Sequence, residues 1–311
     1  MKRPFRFGIS VVNPHSRRDF VSLARRSEEL GFSTLLLPDH IGSDLQAPFS
    51  SLALAAGVTE KIRVGTHMIN NDLRHPLLVA HEAATLDLLS DGRLELGIGA
   101  GWNEPEYEEM GIRFDSPEVR VERLHESVAI VKRLLTGETV TFDGKHYHMH
   151  NHTVGIRSLQ RPRPPIAMGG NGELLMSLAA READIMSFLG LGVNKAGRRL
   201  RYTAFTPEGL EKKIEFVRKA AGTRFNLIEL AAFIWYFQEG DNARMAASQV
   251  RRDRSLSIHD VISSPFTQLG TPEEMIEKLE NNRDRFGVNY WVIKSPALEA
   301  MKEVVPQLAG R

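Results

Sequence analysis

ELGFSTLLLPDH, residues 29–40, is the stretch from which the fold follows. Gly31 closes a helical run that Ser16 opens and in which Phe20, Leu23, Ala24 and Leu30 recur at helical spacing. A glycine just past the last turn is a common helix stop. Thr34–Leu37 then carries apolar residues on consecutive positions. Strands covered on both faces read this way, as those of a parallel sheet do. Upstream, Phe5–Val12 (FRFGISVV) is rich in strand formers, so the first forty residues predict a strand, a helix and a second strand.

The same alternation continues downstream. The sequence predicts a helix over Ser50–Val58, a strand over Lys61–Ile69, a helix over Pro76–Leu89 and a strand over Arg93–Ile98. A long Gly-, Pro- and acid-rich loop covers 99–118, followed by a helix over Val119–Thr136 and a hairpin over Val140–Thr153. Strands at Pro165–Met168, Asp184–Phe188, Leu227–Phe237 and Val288–Ile293 alternate with helices at Glu173–Glu182, Pro207–Ala221 and Pro296–Leu308. Two or three more helices fit within 241–286, the last opened by Thr271-Pro272-Glu273-Glu274. Eight strands in this rhythm are what a (β/α)8 TIM barrel requires, here one α/β domain over 1–311 with insertions after strands 4, 6 and 7. A doubly wound sheet is the alternative, since a single βαβ unit looks the same in both.

Composition narrows the chemistry. The 311 residues are 42% apolar and 25% charged, and 40 Lys and Arg face 39 Asp and Glu, a net charge of +1. That argues against an electrostatic binder of nucleic acid. The absence of cysteine removes disulfides, thiolate-ligated zinc, iron–sulfur clusters and thiol nucleophiles. No apolar run is long enough for a membrane span and the N-terminus lacks the apolar core of a signal peptide, so the expectation is a cytoplasmic protein.

In such a barrel the chemistry belongs to the loops after the strands. Pro38-Asp39-His40 ends the second strand; an Asp beside a His can set the imidazole tautomer, or the pair can bond a cofactor ring, or it is a surface polar pair. Gly65-Thr66-His67-Met68 lies in the third, where a glycine marks a bulge or a close approach. Gly97-Ile98-Gly99-Ala100-Gly101 follows the fourth. Its spacing is GxGxG and no helix opens at once, so it is not a dinucleotide fingerprint; glycines there are expected to let a flat ring approach the backbone. Gly169-Gly170-Asn171-Gly172 opens a helix and suits a phosphate, or is a tight turn. Lys195, Arg198, Arg199 and Arg201 are the densest cationic run, a clamp for an anionic cofactor tail or a solvated loop. His146, His148, His150 and His152 alternate in the hairpin, but no carboxylate partner is evident and no metal site is assigned.

Taken together, ELGFSTLLLPDHI (29–41), IRVGTHMINNDLRHP (62–76), EAATLDLLSDGRLELGIGAGWNEPEYEEMG (82–111), PPIAMGG (164–170) and LGTPEEMIEKL (269–279) resemble the bacterial luciferase-like superfamily of flavin- and deazaflavin-dependent oxidoreductases. RVERLHESVAIVKRLLTGETVTFDGKHY (120–147) looks closest to its coenzyme F-420-dependent branch. The resemblance implies hydride transfer to or from a small organic substrate. It implies a deazaflavin, alternatively FMN, in the barrel mouth, with a flavin or F-420 reductase as an indirect partner and room for a homodimer. Asp39 and His40 match the pair facing the ring, with His40 in proton transfer. Thr66-His67 matches a bond that is often a non-prolyl cis peptide. Ala100 and Gly101 match backbone near the ring's polar edge, and Gly169, Gly170, Asn171 and Gly172 the phosphate loop. Trp102 stands where related sugar-phosphate dehydrogenases carry a glutamate acid, so Glu104, Glu106 or the substrate itself would supply that proton. An FMN-dependent monooxygenase using reduced flavin and O2, and a non-catalytic flavin-binding barrel, are the alternatives.

Overall fold

Eight parallel strands close on one another: β1 (Arg6–Ser10), β2 (Thr34–Leu37), β3 (Arg63–Thr66), β4 (Leu94–Gly99), β5 (Ile166–Gly169), β6 (Ile185–Phe188), β7 (Glu229–Phe233) and β8 (Tyr290–Lys294). Each pairs with the next, and β8 returns to β1 with Tyr290 opposite Arg6. The computed structural model describes residues 2–12, 14–41, 44–193, 200–202, 204–251 and 256–311.

Helices α1 (Arg17–Glu29), α2 (Pro48–Val58) and α3 (Pro76–Leu89) return the chain between the first four strands. After β4 come α4 (Glu104–Glu109) and α5 (Pro117–Leu135); α6 (Glu173–Glu182) follows β5 and α7 (Pro207–Ala221) precedes β7. After β7 come α8 (Ala243–Val250), α9 (Ile258–Ser263) and α10 (Pro272–Phe286), and α11 (Val305–Leu308) closes the chain. Local chemistry sets several of these ends. The Ser16 hydroxyl accepts the Asp19 N–H, Thr271 and Glu274 form a capping box on α10, and Gly287 ends α10 in the left-handed conformation.

The unbroken apolar strands split their side chains between two cores. Leu35, Leu37, Leu96, Ile98, Met186, Phe188 and Trp291 join the layer under the helices. Their neighbours Leu36, Ile185, Tyr290 and Val292 form a second cluster with Ala167, Ala231 and Phe233. That alternation is why both faces of each strand are apolar. Paired charges occupy the opposite end of the barrel from the mouth. Arg6 bonds Glu95 and Glu229, Arg63 Nε donates to Glu95 at 2.7 Å, and Tyr290 Oη donates to Glu95 at 3.2 Å.

Insertions follow the fourth, sixth and seventh strands, as the sequence predicts. The first holds the hairpin of Val140–Asp143 and His148–His152, the second pairs Leu191–Val193 with Leu200–Tyr202, and the third pairs Tyr236–Glu239 with Thr267–Gly270. Four expected elements differ. The strand over 227–237 is two: β7 ends at Phe233, and the Trp235 N–H bonds the Phe266 carbonyl to start the second ladder. Ile234, Trp235, Tyr236 and Phe237 are all apolar or aromatic, so the run continues across the break even though the second ladder is only half-buried at Tyr236 and Phe237. The strand over 61–69 stops at Thr66, resumes at Ile69–Asn70 and carries a cis peptide between. The loop 99–118 contains α4, and the expected last helix is mostly 3-10 turns before α11. Among the described residues no helix is long and apolar enough to cross a membrane.

Candidate active site

The C-terminal ends of β2 to β5 bring most of the expected site residues to one side of the barrel mouth. Where β3 ends, the chain passes through His67 and Met68 before Ile69–Asn70 pairs with Ile98 and Gly99. The cis bond is His67–Met68, one residue beyond the expected Thr66–His67. Thr66 is buried, and its hydroxyl both donates to the Gly97 carbonyl (2.7 Å) and accepts the Gly97 N–H (2.8 Å).

This segment explains the glycines of β4. A Cβ on Gly97 would lie 2.1 Å from the Thr66 carbonyl oxygen and 2.6 Å from Met68 Sδ. Gly101 has φ +72°, and a Cβ there would lie 1.9 Å from Tyr107 Oη. At these two positions a Cβ would collide with the protein's own atoms, a packing reason for glycine that stands apart from any ring. Ala100 between Gly99 and Gly101 is buried.

His67 stacks on Phe233, with ring centroids 5.7 Å apart and planes 13° apart, and its Nε2 is 3.4 Å from Ser187 Oγ. Desolvation draws its pKa down to about 4, against the opposing pull of Glu95. At neutral pH it is therefore an uncharged imidazole.

Asp39 and His40 are neighbours with separate partners. The Asp39 carboxylate accepts from both terminal nitrogens of Arg74 and from the Asn70 N–H at 2.9 Å. Asp39 thus ties the end of β2 to the chain leading into α3. His40 meets Glu106 of α4 instead, with 2.7 Å between Nδ1 and Oε1, and stands edge-on to Trp102 with centroids 5.6 Å apart. Tyr107 anchors α4 by donating to Asn70 Oδ1 and to Asp72 Oδ2, each at 3.1 Å. Asp72 in turn is held by Arg123 at 2.8 Å.

At the end of β5, Gly169, Gly170, Asn171 and Gly172 lead into α6. Gly172 is its N-cap, with no side chain bonding the first turn, and a Cβ at Gly172 would meet nothing within 4 Å. The exposed N–H groups and helix dipole there suit an anion. Lys213 of α7 donates from Nζ to the Asn171 carbonyl at 3.1 Å and adds a positive charge to this loop. Lys195, Arg198 and Arg199 lie outside the described residues. In the hairpin, His146 meets Glu122 at 3.0 Å and His148 meets Asp143 at 2.6 Å, so carboxylates do accompany these histidines as hydrogen-bond partners.

Residues 3–206 match the family of luciferase-like monooxygenases, and the chain belongs to that family. It is similar to 5,10-methylenetetrahydromethanopterin reductase of Methanopyrus kandleri, 27% identical over 286 residues that cover 88% of this chain and 74% of that protein. It is also similar to the F-420-dependent glucose-6-phosphate dehydrogenase of Nakamurella multipartita, 30% identical over 223 residues, 63% of this chain and 64% of that one. The structure of the coenzyme F-420-dependent tetrahydromethanopterin reductase from Methanopyrus kandleri superposes with a TM-score of 0.79 at 22% identity, over 98% of this chain and 99% of that one. At that identity the likeness shows the fold, the (β/α)8 barrel.

Proposed function

We propose that this chain is a cytoplasmic coenzyme F-420-dependent oxidoreductase that moves a hydride to or from a small organic substrate. The F-420-dependent glucose-6-phosphate dehydrogenase to which it is similar over 63% of its length supplies the cofactor class. The observation in the molecule that carries the reading is the pairing at the mouth of His40, after β2, with Glu106, after β4, beside the uncapped helix N-terminus that follows the next strand, β5. When bound, the deazaflavin supplies the carbon that gives or takes the hydride. The N–H groups of the first turn of α6 and the Lys213 ammonium suit its phosphate, whereas the Gly170 N–H is taken by the Ser187 carbonyl at 3.2 Å. His67 and Phe233 offer an uncharged aromatic floor. His40 handles the proton that accompanies the hydride.

The donor set fits an F-420 phosphate and equally an FMN phosphate. An FMN-dependent monooxygenase is therefore the second reading, and the family's description favours it. A non-catalytic flavin-binding barrel is the third. The assembly we propose is a homodimer: Leu78 and Leu89 on α3 are 57% and 62% exposed, and exposed leucines on one helix suit a protein partner.

Turnover separates these readings. Oxidation of reduced F-420 by a panel of small carbonyl compounds, with no oxygen uptake, is the expected result. Oxygen uptake with reduced FMN alone supports the monooxygenase. No reaction with either cofactor, despite binding, supports the non-catalytic barrel.

A further inference from the structure

Glu106 is 7% exposed, and its carboxylate meets the His40 imidazole at 2.7 Å. A buried carboxylate is costly unless it is paired and hydrogen-bonded. α4 is built to hold it there. Tyr107, the next residue, is buried and pinned to Asn70 and Asp72, and its ring packs edge-on against Phe114 with centroids 5.0 Å apart. Asp39, the carboxylate next to His40 in sequence, is committed to Arg74 and the Asn70 N–H. Trp102 stands edge-on to the same imidazole.

We propose that Glu106 is the positioning residue for His40: it accepts the Nδ1–H bond, fixes the tautomer that leaves Nε2 with its lone pair, and balances the imidazolium formed when Nε2 takes a proton. This rests on the reading of His40 as the group that handles the substrate's proton. It also narrows the substrate class to molecules that lose a hydride from carbon and a proton from an attached oxygen or nitrogen. In the oxidative direction the C–H bond breaks with its electron pair, which leaves as hydride to the oxidised deazaflavin. The O–H or N–H bond breaks, its proton passes to His40 Nε2, and a C=O or C=N bond forms. The reductive direction reverses each transfer.

The test starts with cofactor-free protein. In 15N-histidine spectra the parent should show His40 in one tautomer, protonated at Nδ1. Glu106→Gln offers both a donor and an acceptor to Nδ1, so it should mix the tautomers, and Glu106→Asp should restore the single form at least in part. The same tautomer populations in the parent and in folded Glu106→Gln overturn the proposal. Turnover adds a second arm, read as F-420 reduction by a panel of small alcohols and amines. Glu106→Gln should lower kcat at least about tenfold with KM within about threefold, and should change little further in a His40→Ala background. An equal loss in that background would mean that Glu106 acts without His40, which also overturns the proposal. A parent that holds the single tautomer but reduces no F-420 would fault the proposed function and leave the Glu106–His40 relation standing.

Discussion

Asp39 and Arg74 form a two-point ion pair at the end of β2, in which Arg74 Nη2 donates to Oδ1 at 3.0 Å and Nη1 to Oδ2. The Asp39 side chain is only 3% exposed. The pair makes Asp39 a fastener and leaves His40 to Glu106. Removing one partner of a buried pair strands the other charge, which typically costs about 3–5 kcal/mol. Asp39→Ala should therefore lose stability on that scale in urea unfolding. His40→Ala should keep the fold and lose about 100- to 10,000-fold in turnover. An Asp39→Ala protein as stable as the parent would contradict the assignment.

Gly97 faces a backbone carbonyl, which cannot swing aside as a side chain can. Gly97→Ala forces a Cβ to 2.1 Å from the Thr66 oxygen. Overpacking of this kind typically costs about 1–3 kcal/mol. The expected outcome is a lower melting temperature together with weaker cofactor binding, because the shifted backbone carries His67. Unchanged melting and binding would mean that β4 tolerates a side chain there.

The phosphate loop is better tested at Gly172 than at Gly170. Gly170 has φ +150°, and a Cβ there would come within 2.6 Å of Leu175, so a variant at Gly170 confounds strain with charge. Gly172 is open, and an aspartate is a favoured N-cap. Gly172→Asp should fold, place a negative charge where the phosphate is proposed, and weaken cofactor binding at least about tenfold, or 1.4 kcal/mol. Binding equal to the parent's would put the phosphate elsewhere.

Much of the barrel is legible because its strands are covered on both faces: Thr34–Leu37 is apolar at nearly every position, and periodicity reads such runs directly. The breaks inside runs are not. His67 and Met68 interrupt a stretch of strand formers, and Trp235 hands the barrel strand to a second ladder that opens on Tyr236 and Phe237, so neither break shows in the run of strand-forming residues. At the site, residue type exposes His40, but Glu106 is one of four glutamates within 104–109. Its partner appears only when Tyr107 fixes the face of α4. Lys213 reads as a surface cation of an amphipathic helix, and only the packing of α7 beside α6 brings it to Asn171.

Lys278 gives a pH dependence of known sign. Its Nζ donates to the carbonyls of Ile262 (2.6 Å) and Thr267 (2.7 Å) and to Thr267 Oγ1 (3.1 Å), and burial pulls its pKa from 10.5 down to about 7. Between those values the unfolded chain binds the extra proton, so the contribution of Lys278 to stability rises with pH across that window and is level outside it. The difference in urea midpoint between the parent and Lys278→Met should shift in the parent's favour as pH is raised above 7. A difference that stays constant or falls would contradict a lowered pKa.

The cofactor is the central claim, and parallel fluorescence titration of the protein with F-420 and with FMN tests it most directly. F-420 carries a phosphate and a tail of glutamates, so a cationic run such as Lys195, Arg198 and Arg199 should favour it, and salt should narrow the preference. The predicted result is F-420 bound at least about tenfold more tightly than FMN at low salt, a difference of 1.4 kcal/mol, with the gap closing as salt rises. FMN bound as tightly as F-420 or more tightly, at every salt concentration, would contradict it.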